Sequence, residues 1–65
     1  MGVKQEEYYL FKYKPFKEFS WMKSKIEGKM GDKVAYQRFY ELTKTYDFVE
    51  LYKITEITEK LMEQN

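Results

Sequence analysis

The chain has 65 residues, with twelve Lys and Arg against eleven Asp and Glu for a net charge of +1; seven Tyr, five Phe and one Trp stand beside no His and no Cys. A chain this short forms one domain that buries only about 60% of its unfolded surface, and without Cys neither a disulfide nor a thiolate metal centre can brace it. The missing His and Cys also remove the commonest general base, the commonest thiol nucleophile and the usual zinc ligands, so the composition excludes most enzyme chemistry.

The expectation is a single domain over residues 1–65 that is not an enzyme and uses no cofactor, no metal and no small-molecule substrate. A secreted domain of this size would normally carry disulfides, so the expected compartment is the cytoplasm. Residues 1–7 are polar and acidic, read as a flexible terminus rather than a signal peptide. No apolar run reaches the length of a membrane span. Charge is unevenly spread: residues 1–33 hold eight Lys against five acids, and residues 47–65 hold two Lys against five acids. Such polarity marks either a nucleic-acid face or one element pairing against another.

In chain order, Tyr8 to Lys14 places Tyr9, Phe11 and Tyr13 in alternation, the period of a strand or an extended aromatic arm. Pro15 suits a first helical position. From it the spacing of Phe16, Phe19, Met22 and Ile26 predicts a helix to about Glu27, ended by Gly28. Asp32 is a good N-cap for a second helix to about Tyr46, with Ala35, Tyr36, Phe39, Leu42 and Tyr46 on one side. Asp47 and Glu50 read as a capping pair for a third helix from Phe48 to Glu63. That helix would carry Leu51, Ile54, Ile57, Leu61 and Met62 inward, although its β-branched residues leave a strand over residues 48–54 as the alternative. The fold class is therefore mainly α, three helices with an N-terminal aromatic arm or short strand. The alternative is α+β in the order β-α-α-β-α.

Four features bear on function. Eleven carboxylates are present, yet none pairs with another in an apolar setting that would tune an acid/base couple. Trp21 lies off the first helical stripe and is framed by Lys17 and Lys25. With Tyr40 and Tyr52 it forms a candidate partner-binding patch, since Trp is enriched at binding hot spots; the competing reading buries Trp21 under lysine stems. The arm is a lone strand with unpaired backbone, so Tyr9, Phe11 and Tyr13 form a candidate oligomer interface with a second chain. Finally, Ile26-Glu27-Gly28-Lys29-Met30-Gly31-Asp32-Lys33-Val34 resembles the helix–Gly-x-x-Gly–helix junction of the KH family of RNA-binding domains. That resemblance implies a nucleic-acid site at Gly28, Lys29, Gly31 and Lys33, where the loop backbone would clamp phosphates.

The function expected from the sequence is a small non-enzymatic interaction module. It is read as a regulator or inhibitor of a protein partner, acting as a homodimer or heterocomplex, of the kind that phages and mobile elements encode. Nucleic-acid binding through the basic N-terminal half is the second reading.

Overall fold

The computed structural model describes residues 6–64. Four strands and one α-helix follow in the order β1 (Tyr8–Lys14), β2 (Met22–Glu27), a 3-10 turn over Gly28–Met30, α1 (Asp32–Thr43), β3 (Phe48–Ile54) and β4 (Thr58–Gln64). The strands form one antiparallel sheet in the order β2-β1-β3-β4. β1 is thus an inner strand, paired along its length with β2 on one side and β3 on the other. Tyr9 stands between Ile26 and Lys53, and Phe11 between Ser24 and Leu51.

Successive strand residues face opposite sides of a sheet. On β1 and β3 this alternation separates an inner set, Tyr9, Phe11, Val49 and Leu51, from an outer set, Tyr8, Leu10, Lys12, Phe48, Glu50 and Tyr52. The inner set meets Ala35 and Phe39 of α1, and these six residues are the buried core. Tyr13, Ile26, Leu42, Tyr46, Leu61 and Met62 pack around it. The result is two layers, with the helix on one face of the sheet and none of the described elements on the other.

This architecture corrects the mainly α, three-helix expectation and its β-α-α-β-α alternative. Residues 15–27 are not a helix. Pro15 to Trp21 is the connection between β1 and β2, with Phe16 and Phe19 on its outside, 60% and 52% exposed. Met22 and Ile26 fit a helical stripe and a strand face equally, because their spacing of four satisfies both periods. β1 decides between them, since its backbone groups on that side need a partner strand. Residues 48–63 are a hairpin rather than a helix. Its turn, Thr55 to Ile57, contains no Gly, Pro, Asn or Asp, so the sequence carries no punctuation there. The Thr55 amide N–H closes it by donating to the Ile57 carbonyl at 2.9 Å. The register shifts between Leu51 and Tyr52, which face Met62 and Lys60, leaving Leu61 as the extra residue of a bulge. The bulge lets Leu61 and Met62 both reach the core, and adjacent inward residues imitate a helical stripe.

Two capping expectations also change. Gly31, not Asp32, precedes α1, and no side chain caps that end. Asp47 and Glu50 cap nothing: Glu50 is a strand residue whose carboxylate accepts from the Tyr52 hydroxyl at 2.6 Å. Of the expected flexible terminus, residues 1–5 lie outside the described residues. Glu7 is fixed, its carbonyl accepting from the Gly28 N–H at 2.9 Å.

Candidate functional site

The face of the sheet turned away from α1 gathers aromatic and basic side chains. The registers set them in rows across β2, β1, β3 and β4: Lys23, Lys12, Glu50 and Glu63 in one, and Lys25, Leu10, Tyr52 and Lys60 in the next. Toward one end, Tyr8 stands between Glu27 and Ile54. At the other end Lys14 is paired with Phe48, and Trp21, one residue before β2, falls beside it. The ammonium groups lie over the rings: Lys14 is 4.4 Å from the Trp21 centroid and 5.4 Å from that of Phe48, Lys25 is 4.8 Å from Tyr8, and Lys12 is 5.3 Å from Tyr52. Cations are attracted to the negative faces of aromatic rings at such distances.

The charge on this face is divided. Glu50 and Glu63 oppose each other, and Lys60 sits between them at 3.7 and 3.3 Å. The hydrogen bond to Glu63 is the main cause that holds the Lys60 pKa above its ordinary value. Burial, helped by the bond to Glu50, raises that of Tyr52. The β3–β4 side therefore sets one lysine against two carboxylates and stays net negative. On the β1–β2 side, Lys12, Lys14, Lys23 and Lys25 form no ion pair with a described carboxylate. Lys14 donates to the Lys17 carbonyl at 2.9 Å, which ties the β1–β2 connection back on itself.

The residues singled out in the sequence distribute as follows. Trp21, Lys25 and Tyr52 lie on the same open face, Lys25 and Tyr52 in one row and Trp21 two rows away beside Lys14, partly covered rather than buried. Lys17 lies in the connection next to it. Tyr40 does not join them: it is on α1, 55% exposed, edge-on to Phe39 at 5.6 Å. The oligomer interface expected of Tyr9, Phe11 and Tyr13 is corrected. Tyr9 and Phe11 are 1% and 0% exposed inside the chain's own core, Tyr13 packs against Tyr46 at 4.8 Å, and the strand already has both its partners. Tyr8, Lys12, Lys23 and Phe48 were not singled out, and one signal could have found them. They hold the positions opposite Tyr9, Phe11, Met22 and Val49 under a strand period.

The resemblance to the KH junction is also corrected. The motif there joins two helices, whereas here Gly28 follows a strand. Both glycines have reasons internal to the fold. A Cβ on Gly28 would lie 2.8 Å from the Glu7 carbonyl oxygen, so the two segments approach too closely for a side chain. Gly31 has φ +88°, a backbone state that L-residues avoid, and its Cβ direction is open. Lys29 is paired with Glu27 at 3.0 Å, and Lys33 is exposed at the start of α1. A shallow groove of about 620 Å³ beside Gly28 is lined by Glu7, Tyr8, Lys25, Glu27 and Lys29 among others. Its Gly28 end lies beside Glu7 and Glu27, with Glu27 paired to Lys29, so the loop itself does not reproduce the KH phosphate clamp. Among the described residues no group of three or more acidic side chains is placed to hold a metal ion.

Among the described residues no helix is long and apolar enough to cross a membrane. The chain matches no family model, no curated protein and no solved structure.

Proposed function

We propose that this chain is a non-enzymatic binding module whose working surface is the open face of the sheet. One observation carries the reading: four aromatic rings, Tyr8, Trp21, Phe48 and Tyr52, share that face with lysines, while the helix covers only the other side. Core aromatics are already supplied by Tyr9, Phe11 and Phe39, so the outer rings are not needed to close the fold. Large rigid aromatic side chains give contact area at low entropic cost, which is why they concentrate at binding surfaces. Of the residues the sequence offered for a protein partner, Trp21, Lys25 and Tyr52 lie on this surface, whereas those offered for nucleic acid, Gly28, Lys29, Gly31 and Lys33, lie in the 3-10 turn and at the start of α1.

The test is site-specific photo-crosslinking in cells expressing the full chain, with a photoreactive residue at Leu10 on the open face or at Gln37 on the exposed side of α1. A macromolecular product from Leu10 and none from Gln37 is the expected result. Equal products from both sites, or none from Leu10, would overturn the assignment of the face.

A further inference from the structure

We infer that the ligand of this face is single-stranded nucleic acid, with its backbone running along the β1–β2 half of the sheet; the inference rests on the binding-face reading above. Two features of the face together select this class. The first is the placement of the free charge. Lys12, Lys14, Lys23 and Lys25 lie within two neighbouring strands and have no described carboxylate to satisfy them, whereas Glu50 and Glu63 are held by Lys60 on the far side. A polyanion laid across all four strands would meet Glu50 and Glu63. Laid along β1 and β2 it meets lysines from Lys25 to Lys14, and the one carboxylate at the end of that run, Glu27 opposite Tyr8, is already paired with Lys29 at 3.0 Å.

The second feature is the pairing of those lysines with rings. Lys14, Lys25 and Lys12 each rest over an aromatic face, at 4.4 Å from Trp21, 4.8 Å from Tyr8 and 5.3 Å from Tyr52. A nucleotide brings a base, which stacks on a ring, and a phosphate, which binds an ammonium. It can displace each lysine from its ring and still keep that lysine as a partner for the phosphate. Bases stack on aromatic side chains without regard to sequence, because every base has a π-face. The row of Tyr8 and the row of Trp21 and Phe48 are three steps apart, about 20 Å at the usual strand rise. That run accommodates a short single strand. A duplex, whose bases are already stacked, can offer the lysines its phosphates but leaves the rings unused.

The experiment uses the full chain with fluorescein-labelled oligo(dT) and oligo(U) of about 16 nucleotides, and the oligo(dT)·oligo(dA) duplex. Trp21, the one tryptophan in the chain, reports the contact directly through its fluorescence. Single strands should bind with Kd of about 10⁻⁶ to 10⁻⁴ M and weaken about 50-fold from 50 to 200 mM salt, as release of counterions by four lysines requires. Trp21 emission should be quenched on binding, and the duplex should bind more weakly. The double variant Lys12→Gln/Lys25→Gln should lose about sevenfold of that salt sensitivity. Tyr8→Leu keeps an apolar side chain and removes the ring, so it should weaken binding about 5- to 150-fold with circular dichroism unchanged.

No binding by the single strands, equal affinity for the duplex, or insensitivity to Tyr8→Leu in a folded variant would each overturn the inference. A nuclease-resistant protein crosslinked from Leu10, with no oligonucleotide binding, would overturn it and leave the binding-face reading standing. Loss of the Leu10 crosslink itself would remove both.

Discussion

The Tyr9 hydroxyl stands where the buried side of β1 meets the first turn of α1, and it donates to the Asp32 carboxylate. Lys53 of β3 approaches the same carboxylate at 3.4 Å, so three elements meet at one side chain. Burial, with the bond to Asp32 second, pushes the Tyr9 pKa up from 10.0 to about 12. The Tyr9 bond is the main influence holding the Asp32 carboxyl below its ordinary value. The signs follow from linkage. Tyr9 keeps its proton more tightly folded than unfolded, so its contribution is whole below pH 10 and is lost as pH rises toward about 12. Asp32 holds its proton less tightly folded, so its contribution is whole above its ordinary pKa of 3.8 and is lost as pH falls through its lower folded value. Tyr9→Phe should therefore lower stability by on the order of 1 kcal/mol near neutral pH. The gap between variant and parent, read from urea unfolding, should close between pH 10 and about 12. A gap that stays constant across that range would show that the hydroxyl is not the group being titrated.

At the scale of elements, what distinguishes this fold from a helical one is where each phenylalanine goes. Phe39 faces the sheet from α1 and is 3% exposed, whereas Phe19 sits in the β1–β2 connection, 52% exposed, its ring tilted against that of Phe16 at 5.9 Å. Phe39→Ala should cost about 3–5 kcal/mol, and Phe19→Ala no more than about 0.5 kcal/mol. Both are measured by chemical denaturation, and similar losses at the two sites would contradict the sheet. The sequence made part of this legible. The alternation of Tyr9, Phe11 and Tyr13 marks β1 with the bounds it has, the stripe of Ala35, Phe39 and Leu42 marks α1, and the β-branched and aromatic content of residues 48–54 marks β3 as an alternative to helix. β2 was not legible because six residues carry only three inward positions, two of them at the helical spacing of Met22 and Ile26. β4 was hidden by its bulge and by a turn without turn residues. The binding face suffered from the same confusion. On a helix Trp21 and Lys25 are one turn apart, and only the sheet brings Tyr8, Lys12 and Phe48 beside them.

Taken whole, the molecule devotes one side of its sheet to stability and leaves the other wet. Among the described residues six form the buried core, and a chain of this length buries only about 60% of its unfolded surface. A marginal domain gains much from any ligand that binds only the folded state, by about 2.7 kcal/mol at a hundredfold excess over Kd. In a domain of this size each kcal/mol moves the midpoint about 4–8 °C, so a saturating single-stranded oligonucleotide should raise Tm by about 10–20 °C. The sheet provides the control in adjacent residues. Leu10 lies on the open face and is half-buried, while Phe11 is fully enclosed by α1 and its neighbours. Leu10→Glu places a carboxylate among Lys12, Lys25 and Tyr52, so it should fold with a Tm within a few degrees of the parent and show no ligand-induced rise. Phe11→Glu, one residue on, buries a charge without a partner and should not fold at all. Differential scanning fluorimetry with and without the oligonucleotide reads both outcomes. A Leu10→Glu variant that keeps the full rise would place the ligand on another surface, since no single strand could lie along β1 without meeting the new charge.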